Sequence, residues 1–180
     1  LPEGVSVPIR TPMFTMYNTQ SEFFWLTNYF ETLLSAVVWL PCNSATIAKQ
    51  YRKILDQYAQ DTASIPEFVD WQAHDFSMRG MAGIEAAVLS AAGHLLSFTG
   101  TDTIPAIDFL ETYYNANSDA MLIGGSVAAT EHSVMCMGTT EGEYDTFKRL
   151  ICEVYPKGIV SIVSDTWDLW KVLTDYLPRL

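Results

Sequence analysis

The chain has 180 residues, 49% of them hydrophobic and only 17% charged, with a formal net charge of −11. That length supports one sizeable core, while the low charge leaves more apolar surface than solvent normally covers, which points to an interface. An acidic chain without a basic run excludes a nucleic-acid backbone as partner, but a small anionic substrate needs only a few local donors and stays open.

The 3 cysteines, Cys42, Cys136 and Cys152, are irregularly spaced and form no Cys-x-x-Cys pair. They read as reduced thiols of a cytoplasmic protein, packed as small core residues. No secretory signal is visible. The apolar segment Leu33 to Leu40 is interrupted by Ser35 and falls short of the roughly 20 residues a bilayer crossing needs, so no membrane partner is expected. The chain opens on Leu1 and stops just after a helical pattern, as a piece of a longer protein would.

In chain order, residues 5 to 17 are extended in character, with Pro8 and Pro12 excluding helix and Met13 to Tyr17 alternating as a strand. A helix is expected over 22–40, apolar nearly all round and therefore buried in a core or against another subunit. Pro41 ends it, and a second helix runs from Ser44 to Tyr58. Beyond residue 67 strand and helix alternate: strands at 68–73, 97–99, 121–127 and 158–163, helices at 81–96, 104–114, 144–154 and 166–176. That rhythm is α/β with a parallel sheet. No Gly-x-Gly-x-x-Gly or Walker loop is present, so the doubly wound nucleotide folds lose support. About four βα units make a partial (βα)8-type barrel, roughly half of one. The expected division is 1–67, part of a mixed α+β domain, and 68–180, the first half of the barrel.

Each expected strand is followed by polar residues: His74, Asp75 and Arg79; then Gly100-Thr101-Asp102-Thr103; then Ser126 and Thr130-Glu131-His132-Ser133; then Ser164-Asp165. In a parallel barrel these positions share the C-terminal rim, where active sites are built. Taken singly, Asp102 and Asp165 also fit helix N-caps, His132 a structural histidine, and Phe76 a core aromatic.

The motifs "HDFSMRG" at 74–80, "GTDT" at 100–103, "EHS" at 131–133 and "VSDTWD" at 163–168, with "WLTNYFETLL" at 25–34, resemble the nicotinamide phosphoribosyltransferases in kind, order and spacing. The resemblance covers essentially the whole chain. It implies an enzyme that joins nicotinamide to phosphoribosyl pyrophosphate, giving nicotinamide mononucleotide and pyrophosphate, as a homodimer with active sites at the interface. It implies that Phe76 stacks on the nicotinamide ring with Arg79 beside it, and that Asp102 accepts from the amide NH2. It implies pocket-lining positions at Ser126, Val127, Ala129 and Ser161. By the same resemblance His132 is phosphorylated by ATP, and Glu131 and Asp165 lie near the ribose and pyrophosphate, where Mg2+ is held; no organic prosthetic group is implied. Thr130 departs from the family's usual alanine.

The physics is compatible: an electron-poor ring gains from an aromatic face, and an Arg fork both stacks and donates. His74 and Asp75 read as supports of the loop. A nicotinate-using relative and a non-catalytic binding or dimerisation piece remain as alternatives. The 180 residues alone are expected to be inactive, because loops that grip the ribose phosphate lie outside them.

Overall fold

The computed structural model describes residues 1–180. Residues 1 to 20 form no regular element; the expected strand at Met13–Tyr17 is absent, because no neighbouring strand pairs with it. The segment is tethered instead by Lys49, whose Nζ donates to Ser6 Oγ at 3.0 Å.

The two helices expected on either side of Pro41 are one: α1 runs Phe24–Thr62 through the proline. A proline inside a helix removes a hydrogen bond and crowds the preceding turn. Here tertiary packing outweighs that cost. Helix α3 (Ile84–His94) lies against α1 at this point, with Ser44 Oγ donating to the Ser90 carbonyl at 2.6 Å. Gly93 makes the approach possible, since a Cβ there would sit 2.7 Å from the Pro41 carbonyl oxygen and 3.0 Å from Ala45 N. Both obstacles are backbone and cannot step aside. Gly93→Ala is therefore expected to cost about 2 kcal/mol by overpacking and to lower the melting temperature by several degrees. A thermal scan that superimposes on wild type would contradict this packing.

The first half of α1 is not buried in this chain: Phe24 is 75% exposed and Trp39 65%. Of the two surroundings its composition allowed, an internal core is not realised, because no layer of the chain covers it. The cysteines also depart from expectation, all 3 being exposed.

Arg52 ties α1 to the segments after it, donating to Asp56, to Asp70 at 2.6 Å and to the Ser97 carbonyl at 2.8 Å. The expected strand at 68–73 is a 3-10 helix, Pro66–Trp71, opened by a proline at its first turn. The strands themselves are brief; the first three lie just beyond the apolar runs at 68–73, 97–99 and 121–127, and the fourth falls inside the expected 158–163. They are β1 (His74–Asp75), β2 (Gly100–Thr101), β3 (Ala128–Ala129) and β4 (Val160–Ser161). β1 pairs β2 in parallel, β3 pairs β4 in parallel, and a parallel bridge joins Gly100 to Gly125. Helix α2 (Ser77–Gly80) follows β1 and α4 (Pro105–Tyr114) follows β2. An unexpected α5 (His132–Met137) follows β3. Helix α6 (Glu143–Lys148) continues as π-helix through Val154, and α7 (Leu169–Lys171) as π-helix through Tyr176. The molecule is thus mixed α/β, mostly helical with small parallel sheets. No helix is long and apolar enough to cross a membrane.

Buried apolar residues gather in separate clusters. One packs Ala48 and Ala59 of α1 against Val69 and Phe98; the other joins Met135, Phe147, Leu150, Val172 and Tyr176. Beside the second, Glu143 is only 2% exposed and its Oε1 has no hydrogen-bond partner. Burial pushes its carboxyl above the ordinary 4.5; nearby Lys171 opposes that push and Asp168 adds to it. A raised folded-state value means the stability this group contributes is complete below pH 4.5 and declines as pH rises through the folded value. Glu143→Gln should therefore stabilise the protein at pH 7, by about 1 kcal/mol, with the gain vanishing in acid. Thermal unfolding across that range checks it; a gain that persists below pH 4.5 would contradict the assignment.

Candidate functional site

The polar residues after the first two strands come together around one buried carboxylate. Asp75, the last residue of β1, is 7% exposed. Its Oδ2 accepts from Thr101 Oγ1 at 3.0 Å and Thr103 Oγ1 at 2.6 Å, and its Oδ1 accepts from Ser77 Oγ. Thr103 N in turn donates to Thr101 Oγ1 at 2.9 Å, and Asp102 N to the Asp75 carbonyl at 3.0 Å. The turn carrying Phe76 and Arg79 is thereby fastened to the loop carrying Asp102. Thr-x-Thr spacing is what permits this: Thr101 and Thr103 point inward on either side of Asp102, which is left facing out.

Above that anchor lies an exposed chain of contacts. Asp102 Oδ1 accepts from His74 Nε2 at 2.8 Å and from Ser126 Oγ at 3.0 Å. The His74 ring packs on Phe76, centroids 4.7 Å apart. The Arg79 guanidinium sits 5.2 Å from the Phe76 ring centre and 3.8 Å from Glu131 Oε2. Glu131 accepts from Ser133 at 2.9 Å, and the adjacent His132 meets Asp165 Oδ1 at 3.0 Å. Across the β3–β4 pair, Ala129 is the register partner of Ser161. Thr130 Oγ1 accepts from Val163 N at 3.0 Å, so the hydroxyl that departs from alanine is used to hold the strands. Val127 is half-buried beside Ser126, whose Oγ also lies 3.4 Å from the Val127 carbonyl.

The candidate residues are linked along one surface, most of them at or just after the carboxyl ends of the strands, with Ser126 and Val127 entering from the loop before β3. The bland alternatives fail in part. Asp102 is not an N-cap, since α4 begins after Ile104, and Asp168 rather than Asp165 caps α7. Phe76 is 48% exposed, unlike a core aromatic.

Partial burial works against the charge on Asp102, but hydrogen bonds from His74 and Ser126, with the charges of His74 and Arg79, outweigh it and hold the carboxyl below its ordinary value. Asp102 is thus an anion across the neutral range. His94 is different: burial lowers its affinity for a proton, and Nε2–H of the neutral ring donates to the Gly100 carbonyl at 3.0 Å. A hollow of about 370 Å3 lies between α1 and α3, with His74 and His94 in its wall. The chain gathers no cluster of three or more metal-ligating side chains.

Residues 71–179 match the model of the nicotinate phosphoribosyltransferase (NAPRTase) family. The chain belongs to that family. It is similar to the nicotinamide phosphoribosyltransferase of Acinetobacter baylyi, 57% identical over 180 residues, all of this chain and 35% of that protein. It is 41% identical to that of Mycoplasma genitalium, over 97% of this chain and 36% of the relative. It is 33% identical to that of Xanthomonas campestris, over 98% and 37%. The resemblance read from the motifs is borne out. This member of the nicotinate phosphoribosyltransferase family spans about a third of the length of those curated relatives. Asp75 is the loop support that the sequence led us to expect, but the part of Thr101 and Thr103 in holding it was not foreseen. Their signal was the alternation of Thr with Asp102 directly opposite a His-Asp pair.

Proposed function

We propose that this chain supplies the nicotinamide-recognition surface of a phosphoribosyltransferase that condenses nicotinamide with phosphoribosyl pyrophosphate. The observation that carries the reading is Asp102: an anionic carboxylate with both of its donors on Oδ1, leaving Oδ2 free to accept from an amide NH2. A nicotinate carboxylate would meet repulsion there. The pyridine ring stacks on Phe76, and Arg79, already poised over that ring, reaches the carboxamide oxygen or the phosphate. Ser126, Val127, Ala129 and Ser161 form the walls.

The neutral ring nitrogen attacks the anomeric carbon as pyrophosphate departs, so no general base is needed. Acceleration comes from positioning and from stabilising the developing charge. Asp165 accepts from His132 Nε2–H, which leaves Nδ1 as the nucleophile for the γ-phosphoryl group of ATP, releasing ADP. Glu131 and Asp165 are hard oxygen donors of the kind Mg2+ uses together with substrate phosphates, and they fit a cation brought in on the substrate. When bound, Mg2+ neutralises the leaving pyrophosphate.

The parallel pairs and the Gly100–Gly125 bridge support a half barrel over 68–180. The uncovered apolar face of α1, with Phe24, Trp25 and Trp39 outward, supports a homodimer. The 3 free cysteines fit a cytoplasmic setting.

A steady-state assay of the full-length protein tests the function. Nicotinamide mononucleotide should form from nicotinamide far faster than the acid mononucleotide forms from nicotinate. A preference for nicotinate would overturn the reading. The 180 residues alone should give no turnover, and product from them would contradict the need for the remaining chain.

A further inference from the structure

His74 stands at a junction that the proposed reaction does not itself require. Its Nε2 lies 2.8 Å from Asp102 Oδ1, on the same oxygen that Ser126 holds. Its ring lies tilted against Phe76, centroids 4.7 Å apart. Its Nδ1 lies where a side chain on Gly100 would be, 2.7 Å from an ideal Cβ at that position. Gly100 is itself held by β1–β2 pairing and by His94 on its carbonyl. The imidazole is therefore clamped between a β2 glycine and the candidate stacking ring, with one nitrogen aimed at the carboxylate.

We infer that His74 is a positioning residue that sets the preference for amide over acid: its Nε2–H holds Asp102 by Oδ1 and so turns Oδ2 toward the ligand amide. The inference rests on the proposed function and deepens it. Without the histidine, Ser126 alone holds the carboxylate, which then samples rotamers that no longer present Oδ2. Ring stacking and phosphoribosyl transfer do not pass through this contact, so the effect falls on discrimination and on KM for nicotinamide rather than on kcat.

The experiment compares His74→Leu, which fills the space without a donor, with His74→Gln, whose amide can place an N–H where Nε2 stood. For each variant of the full-length protein, kcat/KM is measured for nicotinamide and nicotinate in one preparation, so the folded fraction cancels from the ratio. Losing one hydrogen bond to a charged group predicts at least about a tenfold fall in the ratio for the Leu variant. The fall should be carried by KM, with the ratio largely restored in Gln. Gly100→Ala, which displaces the ring without touching Asp102, should mimic Leu. A Leu variant with the wild-type ratio, or Leu and Gln variants equally impaired, would overturn the inference while leaving the proposed function intact. A wild-type protein that does not use nicotinamide would overturn both.

Discussion

Replacing Asp102 with Ser should reverse much of the substrate preference. The hydroxyl is too short to reach the amide, so nicotinamide loses a charge-assisted hydrogen bond of about 1.5–3 kcal/mol. That corresponds to a fall in kcat/KM of roughly 10- to 150-fold. Nicotinate, no longer facing an anion, gains. Two like charges about 4 Å apart near a protein surface repel by up to about 4 kcal/mol, roughly a thousandfold for nicotinate alone. With the loss for nicotinamide, the ratio between the substrates should swing by about ten-thousandfold or more. Parallel kinetics with both substrates measure it. An unchanged ratio would mean that the amide is read elsewhere, for Asp102 has no other opening to the ligand than Oδ2.

Asp75→Ala should be the most destabilising single change near the site. It strips the acceptor from Ser77, Thr101 and Thr103, and Thr103 is fully enclosed at 0% exposure. Stranding buried hydroxyls and releasing the β1 and β2 loop ends together should cost about 3 kcal/mol. Asp75→Asn keeps an acceptor oxygen and should recover part of it. Denaturant unfolding of both variants gives the comparison, and an Ala variant within error of wild type would remove Asp75 from its proposed place as the anchor. Activity should fall with stability, because Phe76 and Asp102 are carried on the two segments that Asp75 joins.

The site was more legible in the sequence than the elements that carry it. Polar residues after apolar runs reported the strand ends, and the structure brings Phe76, Arg79, Asp102, Glu131, His132 and Asp165 along one surface. The strand expected at 158–163 contains β4, but the earlier ones were read too early, because the apolar runs at 68–73 and 121–127 pack as helical turn and loop while the ladder hydrogen bonds form just beyond them. Pro41 was read as a stop from local chemistry, but Gly93 lets α3 press against that very turn, a contact 52 residues away that no local pattern contains. Helix α5 was hidden because it is only six residues long, with Val134, Met135, Cys136 and Met137 in one unbroken run that shows no helical period. The exposure of α1 could not follow from its composition, since an apolar helix looks the same whether its cover comes from its own chain or from another.

A crystal structure of the full-length protein with nicotinamide bound would decide whether Phe76 and Asp102 read the amide. The pyridine ring should lie against Phe76, with the amide nitrogen within hydrogen-bonding distance of Asp102 Oδ2 and His74 still on Oδ1. Nicotinamide bound away from Phe76 and Asp102, for instance in the hollow between α1 and α3, would contradict it.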